Sequence, residues 1–267
     1  MTADLHSAAI AARFDLARSI ATEAAALALD YFNRRETLVI ETKANLQDVV
    51  SIADRNVEKL IRERVAAAFP DDGFLGEEYG QTGGTSPYTW VVDPIDGTAP
   101  FVNGLPTWCV SIAVARESEP VIGVILAPVL QETFAAAEGH GATLNGKPLK
   151  LDPSRTMQNG LTGISSNSHV TPERTGAIVT ALTARGGNMI RNGSGALMLA
   201  YVSAGRLVGF YEPYMHAWDC MAGFCLVKEA GGFHDPFPAT AFGLGKGAPV
   251  IAAGPGAKDD ILALAQV

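Results

Sequence analysis

The sequence of 267 residues contains few cysteines and few basic residues. Its three cysteines, Cys109, Cys220 and Cys225, have neither metal-ligand spacing nor the even number of a disulfide framework, which indicates reduced, buried thiols. There are 20 Lys and Arg against 28 Asp and Glu, so the net charge is −8. Nucleic-acid binding requires clustered basic residues, and this balance argues against it. We therefore expect a cytoplasmic protein without a nucleic-acid partner.

The chain also lacks long uncharged apolar runs, internal repeats and low-complexity segments. The apolar N-terminal stretch carries Asp4, Arg13, Asp15 and Arg18, so it predicts neither a signal peptide nor a membrane span. Hydrophobic residues make up 48% and charged residues 18%, which is typical of a folded domain with a large core. We expect no membrane partner.

Hydrophobic periodicity predicts alternating helices and strands. Apolar residues at helical spacing predict a long helix over 7–32, and Ser51 is positioned to cap a second helix. Glu77 is expected in a loop, and Asn145-Gly146 is typical of a hairpin turn. Further strands are predicted near 38–42, 90–92, 110–115, 121–126, 161–165, 189, 207–211 and 250–252, and further helices near 172–184, 194–204, 218–229 and at the C-terminus.

The stretch Asp93-Pro94-Ile95-Asp96-Gly97-Thr98, directly after an apolar run, is the most informative part of the sequence. Buried ionised carboxylates are costly unless they are paired or bind a metal. Proline and glycine bend the backbone, which allows the two carboxylates to converge, and oxygen ligands suit magnesium. The amides at Gly97 and Thr98 could receive a phosphate if they open a helix. A turn in which Asp96 or Thr98 merely caps a helix is the alternative, whereas the acidic spacing does not fit an EF-hand.

Three other segments extend this pattern. They are Gly76-Glu77-Glu78, the stretch 43–54 with Lys43, Asp48, Ser51 and Asp54, and Trp218-Asp219 running into Glu229-Ala230-Gly231-Gly232. The chain resembles the inositol monophosphatase family of magnesium-dependent phosphomonoesterases. The resemblance rests on Glu77, the DPIDGT run, Gly104-Leu105-Pro106 followed by Val110-Ser111-Ile112-Ala113, and the WD and EAGG runs, which occur in this order along the sequence. The resemblance implies an α/β sugar-phosphatase fold, layered αβαβα, with two mixed or antiparallel sheets between helices. We expect an N-terminal subdomain over 1–152 with most metal ligands, and a C-terminal subdomain over 153–267 with Asp219 and the substrate pocket.

The resemblance also implies roles for individual residues. Two to three Mg²⁺ ions would be bound by Glu77, Asp93, the carbonyl of Ile95, Asp96 and Asp219. Asp54, Thr98 and Glu77 would be catalytic, with Asp54 and Thr98 orienting the attacking water, and Lys43 would lie near the waters of a third ion. The substrate would contact Asp96, Gly97, Thr98, Ser165, Gly193, Ser194 and Glu212. Without the resemblance, we would interpret Asp54 as an exposed acid on a helix surface, Lys43 as a solvated residue at a strand end and His216 as a packed residue without a chemical role.

The sequence departs from the family pattern at two places near this pocket. Gly195 replaces the usual alanine after Gly193-Ser194, and Pro100 stands where an asparagine usually precedes the aromatic residue. Proline removes a backbone donor, so we expect a pocket of altered shape near the leaving group.

The expected function is magnesium-dependent hydrolysis of a small phosphate monoester by metal-activated water, in a homodimer. Inositol monophosphate is the default substrate. Histidinol phosphate is the alternative, because the resemblance extends to relatives with this motif set that hydrolyse it. Glu212 accepts a hydroxyl or an ammonium group about equally well, so it does not decide between the two substrates. Bisphosphate or nucleotide substrates would require more basic residues than Arg191. A regulatory binding protein that keeps the fold is a different class of function, and a metal-free module is disfavoured because its acidic groups would repel one another.

Overall fold

The structure, a computed structural model, describes residues 2–37, 40–42, 49–242 and 246–267. Within these ranges the helices are α1 (Thr2–Asn33), α2 (Ile52–Ala68), α3 (Thr98–Val102), α4 (Pro172–Ala184), α5 (Gly195–Ser203), α6 (Ala217–Glu229) and α7 (Lys258–Ala265), with a 3-10 turn at Arg35–Thr37. The strands are β1 (Ile40–Thr42), β2 (Val49–Ser51), β3 (Gly73–Gly76), β4 (Gly80–Thr82), β5 (Tyr88–Asp96), β6 (Cys109–Arg116), β7 (Glu119–Ala127), β8 (Glu132–Ala137), β9 (Gly141–Leu144), β10 (Lys147–Pro148), β11 (Leu161–Ile164), β12 (Asn188–Ile190), β13 (Leu207–Met215), β14 (Phe233–His234) and β15 (Ala248–Ala253).

Two mixed sheets and three helical layers build the molecule, as the αβαβα prediction stated. The larger sheet has eight strands in the order β10-β9-β8-β7-β6-β5-β3-β4, and the smaller has five in the order β12-β11-β13-β15-β14. Helices α1 and α2 contact one face of the larger sheet, while α5 and α6 lie between the two sheets. Helix α7 contacts strands β13 and β15 of the smaller sheet, and helix α4 contacts α7 and the edge strand β12. A separate two-stranded ribbon pairs β1 with β2.

The central strands of the larger sheet are buried on both faces, which explains their nearly continuous apolar sequences. Successive residues of β5 point to opposite faces: Trp90 and Val92 belong to the core that α1 and α2 share, and Val91 belongs to the core around α5 and α6. Gly123 on β7 allows the close approach of α6, because a Cβ there would lie 2.2 Å from the carbonyl oxygen of Ala222. This packing holds the first turn of α6 beside the end of β5.

The long N-terminal helix, the second helix, the loop position of Glu77 and the hairpin at Asn145-Gly146 are confirmed. The prediction missed several strands of the larger sheet, among them β3 and β8. Strand β3 has only four residues, and β8 is rich in alanine, which has little intrinsic preference for strands. The strand predicted near 38–42 is confirmed over Ile40–Thr42 as β1, whereas its residues 38–39, Lys43 and Asp48 lie outside the described residues. Across the described ranges, the helices are too short or too polar to cross a membrane.

Candidate metal centre

The DPIDGT motif lies where the pairing of β5 with β6 becomes irregular. Pairing is regular up to Asp93, opposite Ser111, and its register shifts before Asp96, opposite Cys109. Strict alternation would place residues three apart on opposite faces, so this irregularity allows both carboxylates to reach one point. Gly97 follows with φ of 93°, a left-handed conformation that favours glycine, and Thr98 begins α3.

Asp219 comes to the same point from the first turn of α6. Its Oδ2 accepts a hydrogen bond from the amide of His216 at 2.9 Å, and Ser111 Oγ donates to the carbonyl of Trp218 at 3.3 Å. One carboxylate oxygen each from Asp93, Asp96 and Asp219 lies within 4.8 Å of the others. Hard oxygen donors at this spacing can share one divalent cation.

We refer to Glu77, Asp93, Asp96 and Asp219 as the acidic cluster, since all four line one cleft. Burial raises the pKa of Asp93 well above its usual range, and the charges of Glu77 and Asp96 raise it further. Burial followed by the charges of Asp96 and Glu77 does the same to the pKa of Asp219. The pKa of Asp96 rises to about 6 because burial outweighs the hydrogen bonds it accepts. A divalent cation would remove this penalty, so the donor set fits magnesium.

Residues from the smaller-sheet half of the chain hold Asp96 in place. Oδ2 of Asp96 accepts hydrogen bonds from the hydroxyl of Ser194 and from the amide of Ala196, the latter at 2.7 Å. The Cys109 thiol, whose pKa is raised by burial, lies 3.8 Å from the same oxygen. Ser194 also caps α5 and is only 1% exposed. In this structure its side chain therefore contacts Asp96, whereas Gly193 and Gly195 beside it line the cleft.

The proposed water-activating pair is in contact. Thr98 Oγ1 lies 3.4 Å from Asp54 Oδ1 and 3.2 Å from the carbonyl oxygen of Ile95. Asp54 is 1% exposed, so it is not the solvated helix acid that its position in α2 alone would suggest. The Thr98 hydroxyl contacts the Asp54 carboxylate, and Thr98 also lines the cleft. It can therefore pass a proton from a water molecule in the cleft to Asp54.

The other side of the cleft is formed by Glu212 and its polar neighbours. The cleft has a volume of about 220 Å³. Glu212 is 6% exposed, and its Oε1 accepts a hydrogen bond from Asn167 Nδ2 at 3.3 Å. Burial raises the pKa of Glu212 to about 7, although a hydrogen bond from Ser165 and the charge of Arg191 lower it. This wall combines one anion, one cation and neutral donors.

Sequence reasoning did not assign three lining residues, namely Ser166, Asn167 and Met215. The polar run Ser165-Ser166-Asn167 directly after β11 is the signal that was available, because ligands of α/β sheets gather at strand carboxyl ends. Met215 had no such signal. Its position follows from the end of β13, which pairs with β15 through a register shift.

Both departures from the family pattern lie against the cleft wall. A Cβ at position 195 would lie 2.5 Å from Met215 Cε, so this methionine occupies the space that an alanine methyl group would take. A Cβ at Gly193 would lie 2.7 Å from Pro100 Cγ. Glycine at 195 and methionine at 215 therefore form a compensating pair, and they add an apolar surface beside Glu212.

The chain is similar to known proteins in sequence and in fold. The model of the inositol monophosphatase family matches residues 11–266. An inositol-1-monophosphatase of Rhizobium meliloti is 39% identical over 190 residues, 70% of this chain and 71% of that protein. A histidinol-phosphatase of Chlorobaculum parvum is 34% identical over 217 residues, 81% of this chain and 83% of that protein. The solved structure of the extragenic suppressor protein suhB from Bartonella henselae has a TM-score of 0.87 at 30% identity, and the match covers 96% of this chain and 98% of that one.

Proposed function

This chain belongs to the inositol monophosphatase family, and we propose that it catalyses magnesium-dependent hydrolysis of a small phosphate monoester, with inositol monophosphate as the default substrate. One observation carries the proposal: carboxylate oxygens of the buried Asp93 and Asp96 and of the half-buried Asp219 lie within 4.8 Å of one another in the cleft that Thr98 also lines. A buried group of like charges has no structural purpose that apolar residues would not serve better.

We assign the metal to the acidic cluster and the carbonyl of Ile95, which lines the same cleft. When bound there, magnesium supplies charge neutralisation of the phosphate oxygens and of the leaving oxygen, and it makes water a better nucleophile at neutral pH. We propose two to three Mg²⁺ ions, of which three would balance the charges of the four carboxylates and a phosphate dianion.

The remaining roles fall to residues on either side of the cluster. Thr98 accepts a hydrogen bond from the attacking water and donates its own hydrogen bond to Asp54. When the water passes a proton to Thr98 Oγ1, the threonine proton moves to Asp54, so the hydroxyl stays neutral. Gly97 and Gly193 form the floor on which the phosphate and the adjoining part of the substrate rest. Glu212, held by Asn167, receives hydrogen bonds from the leaving group.

The dimensions and charge of the cleft support a small leaving group. A volume of about 220 Å³ is below the ~300–1,000 Å³ of pockets that take drug-sized ligands. Among the described residues that line the cleft, Arg191 is the single basic side chain, and it already donates to the carbonyl of Ser166 at 2.8 Å. This composition favours a monophosphate over a bisphosphate or a nucleotide.

Histidinol phosphate is the second candidate substrate, and the wall around Glu212 supports it. A buried carboxylate beside the apolar Met215 can pair with an ammonium group while the thioether packs on a ring. The relative from Chlorobaculum parvum carries the name of this activity. A regulatory role on a protein or RNA partner is a third reading, but it leaves the buried acidic cluster unexplained.

A panel of phosphate esters tests the proposal. Phosphate release is measured with inositol 1-phosphate, histidinol phosphate, fructose bisphosphate, phosphoadenosine phosphate and para-nitrophenyl phosphate, each with Mg²⁺ and with chelator. We expect one of the first two to have the highest kcat/KM, and all activity to disappear with chelator and return with Mg²⁺. Activity that persists in chelator would contradict the metal-dependent mechanism. We further propose a cytoplasmic homodimer, which sedimentation velocity of the purified protein tests for its assembly.

A further inference from the structure

Glu58, a fully buried glutamate of α2, has no role in the chemistry described above. It is 0% exposed, and α2 carries it one helical turn after Asp54 and one turn before Arg62. Arg62 Nε donates to Glu58 Oε1 at 2.7 Å, with 20% of the arginine side chain exposed. A buried ion pair is a weak source of stability by itself, so its other contacts indicate what it does.

Those contacts all lead to the turn that carries Glu77. Residues 77–79 connect β3 to β4 as a three-residue hairpin turn, with Gly76 paired opposite Gly80. Glu58 Oε2 accepts the amide of Glu78 at 2.7 Å, and Oε1 accepts the amide of Tyr79 at 3.2 Å. The two backbone amides that follow Glu77 therefore both donate hydrogen bonds to the carboxylate of Glu58.

The arginine and the preceding strand complete this arrangement. Arg62 donates to the carbonyl of Gly80 and, at 3.3 Å, to the hydroxyl of Thr82 on β4. A Cβ at Gly76 would lie 2.2 Å from Glu58 Oε1, so only glycine lets the strand approach this carboxylate so closely. On the other side, the amide of Glu77 donates to the carbonyl of Val92 at 3.3 Å. The backbone of Glu77 is thus held between β5 and α2.

Holding Glu77 matters because its neighbours repel it. Glu77 lines the same cleft as Asp93, Asp96 and Asp219, whose carboxylate oxygens lie within 4.8 Å of one another, and its charge raises the pKa of Asp93 and of Asp219. Turn tips are the parts of a hairpin that move most readily, and mutual repulsion would drive this turn out of the cleft. A site held in place before the ion arrives avoids this reorganisation when the ion binds.

We propose that Glu58 is a positioning residue that fixes the Glu77 turn and so keeps the acidic cluster ready for the metal ion. Asp54, Glu58 and Arg62 lie on one face of α2. Asp54 contacts Thr98, while Glu58 and Arg62 hold the Glu77 turn by hydrogen bonds. This inference rests on the proposed magnesium site, and it adds a requirement that the carboxylates alone do not impose.

Isothermal titration calorimetry with Mg²⁺ on the purified protein gives the first test. Glu58→Gln keeps the shape of the side chain but loses the charge that two amides and Arg62 share, so we expect the Mg²⁺ Kd to rise about 10- to 100-fold. Gly76→Ala, which displaces the carboxylate without removing it, should raise the Kd in the same direction. Asp72→Asn is the matched control, because Asp72 is also buried and bonded to an arginine but lies at the opposite end of β5. Its Mg²⁺ Kd should equal that of the wild type.

Hydrogen exchange of the wild-type protein tests the inference without any variant. The amides of Glu78 and Tyr79 should already be protected in chelator, because Glu58 and not the ion holds them. Free exchange in chelator with protection only in Mg²⁺ would overturn the inference. The inference would also be overturned if Glu58→Gln and Gly76→Ala bound Mg²⁺ with the same Kd as the wild type. Absence of Mg²⁺ binding in the wild type would instead overturn the proposed function, together with the inference built on it.

Discussion

Buried carboxylates lie beside both ends of β5, and their surroundings shift the pKa of these groups in opposite directions. Near the start of β5, Asp72 accepts hydrogen bonds from Arg13 Nε at 2.8 Å, from Ser86 Oγ at 2.6 Å and from Trp90 Nε1 at 2.9 Å. These partners outweigh the effect of burial and lower the pKa of Asp72. At the other end, burial and like charges raise the pKa of Asp93.

This contrast separates a structural acid from a functional one. The partner that stabilises the charge of Asp72 is part of the chain, whereas the described neighbours of Asp93 that affect its pKa are themselves acidic. A carboxylate paired with an internal cation contributes to folding. Asp93 accepts a hydrogen bond from the amide of Ile95 at 2.9 Å but is surrounded by like charges, which makes sense when its cation is an ion that binds later. Variants at the two ends should therefore differ in which property they lose.

The largest effect should come from Asp93→Asn. Loss of this carboxylate would remove a ligand of the proposed metal site, and we expect phosphate release in Mg²⁺ to fall on the order of 10³-fold or more. The variant should remain folded, as judged by circular dichroism, because the change also relieves repulsion. Full activity of Asp93→Asn would contradict the metal assignment.

The opposite end of the strand should respond in stability. Asp72→Asn leaves the buried Arg13 unpaired, with its side chain only 10% exposed, so we expect the free energy of unfolding to fall by about 3–5 kcal/mol. Urea unfolding measures this loss, and kcat at a temperature where the variant is folded should be unchanged. A fall in kcat with intact stability would show that the two ends are not separate in function.

The pH dependence of stability in chelator should differ in sign between the two ends. The rise in the Asp96 pKa from 3.8 to about 6 corresponds to about 3 kcal/mol, which is present at low pH and lost as pH rises through about 6. The lowered pKa of Asp72 acts the other way, because its contribution is lost as pH falls below 3.8. Thermal melts of the metal-free wild type from about pH 2 to 8 should show loss of stability as pH rises toward about 6, and a separate loss as pH falls below 3.8 and Asp72 takes up a proton. Asp96→Asn should flatten the first of these slopes, and Mg²⁺ should reduce it.

Thr98→Ala examines the water-activating side of the cluster. The hydroxyl that lies between Asp54 and the cleft acts mainly in the transition state, so we expect kcat to fall about 10²-fold with little change in KM. Thr98→Ser, which keeps the hydroxyl, is the control and should retain most activity. If only KM changes, Thr98 binds phosphate and does not orient water.

The smallest effect is expected from Glu212→Gln, which tests the leaving-group wall. The loss of a polar contact should raise the activation free energy for the true substrate, measured from kcat/KM, by about 1–3 kcal/mol. The kcat/KM for para-nitrophenyl phosphate should change little. Histidinol phosphate should lose more than inositol 1-phosphate, because a charge pair would be broken as well. Equal losses for all three esters would assign Glu212 to the support of the site instead of leaving-group recognition.

Much of the layered fold was predictable because local patterns encode it. Helix α4 was predicted with the bounds it has, since a threonine cap, a proline at the start and an apolar face occur together there. Strand β8 was not predictable, because its alanine-rich sequence depends on neighbours β7 and β9 for its conformation.

The sequence by itself determined the chemistry at the end of β5, since two aspartates, a proline and a glycine after an apolar strand specify both a bend and a charge that must be neutralised. Only the tertiary structure decided which buried acids receive a partner from the chain. Arg13 reaches Asp72 across 59 residues, and the amide of Ala196 reaches Asp96 across 100. Glu58 looks like an ordinary helix acid until the Glu77 turn packs on it. Such pairings depend on contacts that form between distant segments when the core closes, and no local pattern of residues encodes them.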